Sequence, residues 1–391
     1  MTASALRSAE HDVAIVGGGP AGLACALELR QAASELSVTV FDRGVPPLDK
    51  PCGEGIMPDG VHRLRQIGVD VEALHARPFC GIRWLDSSAQ RPLQVAGRFP
   101  GRPGLGVRRT ELQRALVDSA QSAGVELRWG WKVLGTPGRK HRCLRVRAPD
   151  GRESEVRARL VVAADGLRSP VRRELGLAGR PEAPSRQRFG VRRHFAVAPW
   201  TDLVEVHWAL GLEGYVTPVA DDEIGVALLW SGRKARFEEL LEELPELRRR
   251  LAGTRASSRD FGTGPLRQRV RGVVRGNVAL VGDAAGYVDA ITGEGLSVAL
   301  HQARELATAV AAGDLSLYTK GCRRLDRTAR GLTELVLWLQ RHPAIRRRAF
   351  RALAGEPGLF ERFLAVHVRH VPPSRLMPMS PRLAWRMLSN G

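Results

Sequence analysis

Residues 14–30, AIVGGGPAGLACALELR, place Gly17, Gly19 and Gly22 at G-x-G-x-x-G spacing, and Asp42 ends the next apolar run 20 residues beyond Gly22. This arrangement can hold a dinucleotide. Gly17 permits a tight turn, Gly19 lets the backbone approach a pyrophosphate, and Gly22 lets a helix pack close to its strand. The helix N-terminus turns unpaired N–H groups and a positive dipole end toward the phosphates, and Asp42 can accept hydrogen bonds from a ribose diol. Glycines at this spacing also occur in loops that bind nothing, so the flanking elements decide. Two later stretches bring chemistry of the same kind: ADGLRSPVRREL with Asp165, Ser169 and Arg172, and VGDAAGYVDAITGEGL with Gly282, Asp283, Gly293 and Gly295. Asp165 can open a turn or face a ligand. Asp283 closes a buried strand, where an open sheet binds its ligand.

The surrounding elements suit these roles. DVAIV reads as a buried strand, Leu23, Ala26, Leu27 and Arg30 follow at helical spacing, and SVTVFD is a second strand ending at Asp42. VRRTELQRALVDSAQSAGVELRWG reads as an amphipathic helix followed by a strand; the stretches from Ala158 and Gly276 each read strand, turn, helix, within one α/β layer system. Residues 79–100 and 186–230 differ: short, turn-rich runs with partial two-residue alternation predict an antiparallel sheet. RFEELLEELPELRRRLAG predicts one helix, acids first and arginines last, as the dipole prefers. From Arg341 onward the chain holds ten Arg against two Glu. There Ile345, Ala349 and Leu353, then Phe360, Phe363, Leu364 and His367, recur at helical spacing and predict amphipathic helices packed on the body.

Composition bounds the class. With 391 residues, 43% apolar and 26% charged, the chain is long enough for two globular domains with a sizeable core. A net charge of +19 would suit nucleic acid, an anionic membrane surface or acidic ligands. Yet of 60 basic residues only Lys50, Lys132, Lys140, Lys234 and Lys320 are lysine. The arginine excess spreads along the whole chain with no nucleic-acid motif, so no nucleic-acid partner is expected. The five cysteines, at 25, 52, 80, 143 and 322, form no C-x-x-C and suit a reducing cytoplasm. No His, Cys or carboxylate spacing suggests a metal. MTASALRSAEHD lacks the pattern of a secretory signal, and no run approaches the roughly 18 apolar residues of a membrane span. A cytoplasmic location is expected.

The three ordered motifs resemble the flavoprotein hydroxylases of the p-hydroxybenzoate hydroxylase type (group A flavin monooxygenases) together with the geranylgeranyl reductase-like flavoproteins, over most of residues 11–310. The resemblance implies an α/β fold. A Rossmann-like FAD-binding domain would comprise 1–78, 101–180 and 265–345; an inserted antiparallel-sheet substrate domain, 79–100 and 181–264; and a basic helical C-terminal region, 346–391. It implies that Gly17, Gly19, Ala21 and Gly22 hold the FAD pyrophosphate and that Asp42 takes the adenosine ribose, with Pro20 and Arg43 also in the cofactor set. Arg109 would reach FAD, or else be a surface arginine. Cys52, Gly53, Val133, Asp165, Gly282, Asp283 and Gly293 complete the cofactor set. The N–H groups around Gly295 and Leu296 would face the flavin pyrimidine, where a helix N-terminus stabilises the negative charge of reduced flavin. With one dinucleotide fingerprint, NAD(P)H is implied as a transient co-substrate.

Two reactions stay open. KPCGEGIMPDG resembles the K-P-C-G-G-G segment of the reductases, GYVDAITGEGLSVAL their G-F-x-D-P-I-T-G-E-G, and Tyr215 with Pro218 their Y-x-W-x-F-P element. Ala290 stands where both branches have Pro, Ser297 where hydroxylases have Asn, and Thr217 where reductases have Trp. The lost aromatic element puts first an NAD(P)H-using monooxygenase acting on a hydrophobic, aromatic or polyketide-like small molecule. The alternative is a reductase saturating an alkene of an isoprenoid or related lipid. A third reading, of another class, is a basic polyanion- or membrane-binding module on a flavin fold. The catalytic candidates are Cys52 (proton donor, flavin-tuning thiol or packing residue), Glu294 (acid, orienting group or loop surface) and Tyr215. His194 and His207 either line the substrate pocket or are core, and Trp84, Trp208 and Trp230 offer an apolar wall or core packing. The basic C-terminal region would cap the pocket or make weak contact with an anionic membrane.

Overall fold

The computed structural model describes residues 10–86, 93–136 and 143–375. The polar N-terminal stretch and the end of the basic C-terminal region, 376–391, lie outside the described residues. Five strands pair in parallel, in the order Val278–Leu280, Glu153–Ala163, Glu10–Val16, Val38–Asp42, Glu126–Trp129. Burial on both faces explains the unbroken apolar runs Val13–Val16, Leu160–Ala163 and Val278–Leu280 in the three strands at the centre and one side of this sheet. The helix Pro20–Ala32 packs against both Arg109–Ser122 and Gly295–Ala311. From Glu10–Val16 the chain crosses to Val38–Asp42 on one side, and Glu153–Ala163 fills the other side. The crevice beyond the C-terminal end of Glu10–Val16 is therefore a topological switch point, where open α/β sheets bind ligands.

A second sheet runs Arg255–Ala256, Arg188–Ala196, Ile224–Ser231, Leu212–Pro218, Leu203–Ala209, Gly81–Asp86, Leu93–Arg98, with Phe261–Thr263 paired to Arg188–Ala196. It is antiparallel except at one seam, where Leu203–Ala209 and Gly81–Asp86 pair in parallel. Those strands lie far apart in sequence, so no hairpin turn dictates their relative direction. RFEELLEELPELRRRLAG forms two helices rather than one, Phe237–Glu242 and Pro245–Leu251. Pro245 lacks an N–H for a helix interior and takes a first-turn position instead.

Of the C-terminal helices Leu315–Arg341, Pro343–Ala354 and Pro357–His367, the last two pack on the edge strand Leu93–Arg98 and the first on the helix Gly295–Ala311. Trp84 stacks on Phe350 at 5.4 Å between centroids and tilts against Phe360 at 4.7 Å. Arg346, fully buried on the second of these helices, pairs with Asp86 at 3.0 Å. A buried ion pair adds little net stability, but separating its partners is costly, so it holds this helix to the edge of the sheet. No helix among the described residues is long and apolar enough to cross a membrane.

Candidate functional site

The glycine turn is shaped by its backbone. Gly17 has φ +109°, and a Cβ there would meet the Ala164 carbonyl oxygen at 2.3 Å. Its N–H donates to the Phe41 carbonyl at 2.8 Å, tying the turn to the neighbouring strand. Asp42 accepts from the Gly18 N–H at 2.7 Å and the Gly44 N–H at 2.8 Å, which fixes its carboxylate at the strand end. Gly19 starts the helix with no side chain capping it, and Pro20 has no N–H to offer. The first free donors are thus Ala21 and Gly22.

Beside Gly19 lies Arg109, whose Nη2 sits 3.7 Å from where a Cβ on Gly19 would stand. Arg109 is 5% exposed, and its Nη1 is buried without a hydrogen-bond partner. Lys50 stands near Asp42, Arg109, Arg43 and Asp283, and burial lowers its pKa. An idle buried guanidinium N–H, a neighbouring lysine and an uncapped helix start together fit a diphosphate.

Opposite stands the turn at Gly282, with φ +63°. Burial pushes the Asp283 carboxyl up to about 6, against the pull of Arg172, Lys50 and Arg109. Burial also raises Asp165, which accepts from the Val171 N–H at 3.2 Å and leaves Oδ1 unpaired. Arg172, next to the cofactor candidates in sequence, is spent on structure. Its Nη1 donates to the carbonyls of Asp283 and Ala284, and its Nη2 to Leu167 and Gln268.

These residues surround one cleft of about 690 Å³, within the roughly 300–1,000 Å³ of small-molecule and cofactor sites. Its wall contains Gly17, Gly19, Pro20, Ala21, Asp42, Arg43, Cys52, Gly53, Arg109, Val133, Asp165, Gly282, Asp283, Gly293, Gly295, Leu296 and Tyr215. Gly22 is outside it: a Cβ there would meet the Gly17 carbonyl oxygen at 1.9 Å, so its side-chain position serves packing. Glu294 is outside it too, with Oε1 3.3 Å from Arg369. His194 and His207 are buried against Glu54 and Glu205 and do not form the wall. Trp84 does; Trp208 and Trp230 are core.

The second sheet holds the cleft loops in place. In the strand Leu212–Pro218, Thr217 Oγ1 donates to the Gly53 carbonyl at 2.9 Å, and the Tyr215 hydroxyl donates to the Ile291 carbonyl. Tyr215 therefore presents its ring, rather than a free hydroxyl, to the cleft. Arg188 bridges Glu213 and Asp289 in the core beneath. Cys52 Sγ accepts from the Glu54 N–H at 3.3 Å, and burial pushes its thiol up, so it stays protonated at neutral pH.

Glu54 was not singled out from sequence. It is buried at φ +58°, its Oε1 accepts the Arg109 N–H at 2.8 Å, and its Oε2 meets His194. The available signal was a non-glycine in a segment that otherwise resembles K-P-C-G-G-G.

A family model described as FAD binding domain matches residues 10–313. The chain belongs to this family. It is an FAD-dependent oxidoreductase. Menaquinone reductase of Mycobacterium tuberculosis is 31% identical over 323 residues, covering 78% of each chain. The flavin-dependent brominase Bmp2 superposes with TM-score 0.79 at 19% identity, covering 92% of this chain and 93% of that one. A geranylgeranyl bacteriochlorophyll reductase-like protein of Thermoplasma acidophilum gives TM-score 0.68 at 19% identity, covering 96% and 100%. These two structures share the fold.

Proposed function

We propose that this flavoprotein reduces a lipophilic quinone-bearing or isoprenoid substrate, drawing electrons from NAD(P)H. The observation that carries this reading is the Cys52 loop: a segment resembling that of the reductases sets a protonated thiol into the wall of a cleft whose far end is apolar. The likeness to menaquinone reductase supports it and moves the reductase ahead of the monooxygenase expected first from sequence.

When bound, FAD supplies hydride transfer. The chain's own groups do the rest. Arg109 and the N–H groups of Ala21 and Gly22 would neutralise the diphosphate. The uncapped start of the helix Gly295–Ala311 would offset negative charge on the flavin. Cys52 holds a proton on the cleft wall. Phe363, Leu364 and Val336, contributed by the C-terminal helices, keep water from the apolar end. Arg168 and Arg173, exposed on the rim, suit the phosphates of a transient NAD(P)H.

A monooxygenase is the second reading, favoured by Thr217 in place of the reductase Trp. Anaerobic turnover of prenylated quinones and polyprenyl lipids, read by mass spectrometry, separates the two. Addition of two hydrogens without O₂ supports the reductase; product formed only with O₂ and heavier by one oxygen overturns it.

The enzyme would act in the cytoplasm, at a membrane that holds its substrate. Leu335 and Trp338 are exposed on the last turns of Leu315–Arg341, close to Arg341. Co-sedimentation no stronger with anionic than with neutral vesicles would remove the membrane contact.

A further inference from the structure

A pair of ionisable side chains that sequence reasoning did not join meets the apolar end of the cleft. His367, in the last turn of Pro357–His367, is 3% exposed and forms part of the cleft wall. Neither of its ring nitrogens has a hydrogen-bond partner. Nδ1 lies 3.6 Å from Glu294 Oε2, which also lacks a hydrogen-bond partner. The ring is held parallel to Phe363, with planes 4° apart and centroids at 6.4 Å.

The charged neighbours leave this pair available. Arg369, at φ +55°, reaches Asp59 with Nη1 at 2.8 Å and Glu294 Oε1 with Nη2 at 3.3 Å. Asp59 is also met by His301 Nε2 at 3.0 Å. Of these two carboxylates, Glu294 is the one paired with the His367 ring, through Oε2. Buried polar groups are costly to leave unpaired, so an imidazole at the cleft wall with both nitrogens idle calls for a polar atom on whatever fills the cleft.

We propose that His367, positioned by Glu294, is the proton donor to the substrate. The inference rests on the reductase reading. The reducible group of the substrate, quinone ring or isoprenoid double bond, takes a hydride from reduced flavin and a proton from protonated His367. The substrate is thereby reduced by two electrons and gains two hydrogens, the flavin is oxidised, and the neutral imidazole is re-protonated from water. Glu294, outside the cleft wall, acts through His367 as a positioning residue. This joins the C-terminal helices to the chemistry.

The test uses the FAD-loaded protein and a naphthoquinone carrying two isoprene units. In rapid mixing, His367→Gln should retain its flavin yet slow re-oxidation of photoreduced flavin by the quinone by roughly 10²–10⁴-fold. Wild-type re-oxidation should fall as pH rises, and the variant should lose that dependence. His367→Ala should recover rate with added imidazole. Re-oxidation of His367→Gln within threefold of wild type, with reduced product still formed, would overturn the proposal. A second readout needs no turnover: in ¹⁵N-histidine-labelled protein, Glu294→Gln should move the ring ¹⁵N resonances of His367. Unmoved resonances break the pair, whatever the substrate. A wild type that forms no reduced product sinks the reductase reading instead, and the resonance experiment still judges the pair.

Discussion

At one end of the cleft, Gly17, Gly19 and Asp42 come from one short β-turn-α-β unit, and their spacing is set by backbone geometry. At the other end, Trp84, Tyr215, Val336, Phe363 and His367 come from the second sheet and from the C-terminal helices. The first end is local and intolerant; the second is assembled at long range from side chains. The cofactor end should therefore fail through backbone strain and charge, and the substrate end through shape.

The largest expected effect is at Gly17. Gly17→Ala forces a Cβ against Ala164 at φ +109° and should cost about 3 kcal/mol or more in chemical denaturation, with loss of bound flavin. Gly19→Asp makes the contrast, since its Cβ approaches only Arg109. Apoprotein stability should hold within about 1 kcal/mol, while flavin affinity falls at least about 100-fold as a carboxylate enters the phosphate site. Two variants that lose flavin equally and unfold equally would erase the distinction between strain and charge.

Asp283 comes next. Its carboxyl is raised from 3.8 to about 6, so the folded state binds the proton more tightly than the unfolded chain. Its favourable contribution is complete below about 4 and is lost as pH rises through about 6, at most about 3 kcal/mol. Asp283→Asn should remove that slope, making the apoprotein relatively more stable at pH 8 than at pH 4. Parallel wild-type and variant melting curves across this range would show that Asp283 is not the group responsible.

A smaller effect, about tenfold in flavin affinity, is expected for Glu54→Gly. Glycine suits φ +58°, so the backbone relaxes, but the Arg109 N–H loses its charged acceptor. Fluorescence titration with FAD measures this. Unchanged affinity would mean that the second sheet does not help position Arg109. The smallest change belongs to the substrate end: Phe363→Ala should raise KM several-fold and keep full flavin content. Loss of flavin there would show that the two ends are not separately built.

The glycine turn was legible because Gly17 and Gly22 each answer a local demand of the backbone. Asp42 and Asp283 were legible because each ends or follows an apolar strand. The structural part of Arg172 was not legible: its two terminal nitrogens donate to the carbonyls of Asp283, Ala284 and Leu167, which lie on separate turns. Glu294 was noticed in the right loop, but its meaning depends on His367 and Arg369, which arrive from the far end of the chain. The helix expected through Pro245 failed for a local reason that sequence already contained, the missing N–H of proline.

By itself the sequence determined the α/β layer and the glycine turn at the end of its first strand, because periodicity, glycine spacing and strand-end acids act within a few residues; the flavin came only from the resemblance of three separated motifs to known flavoproteins. Tertiary structure alone decided the parallel seam of the second sheet, the hold of Thr217 and Tyr215 on the cleft loops, and the meeting of His367 with Glu294. The physical reason is reach. Backbone geometry constrains neighbours along the chain, whereas burial and charge pairing choose partners by distance in space.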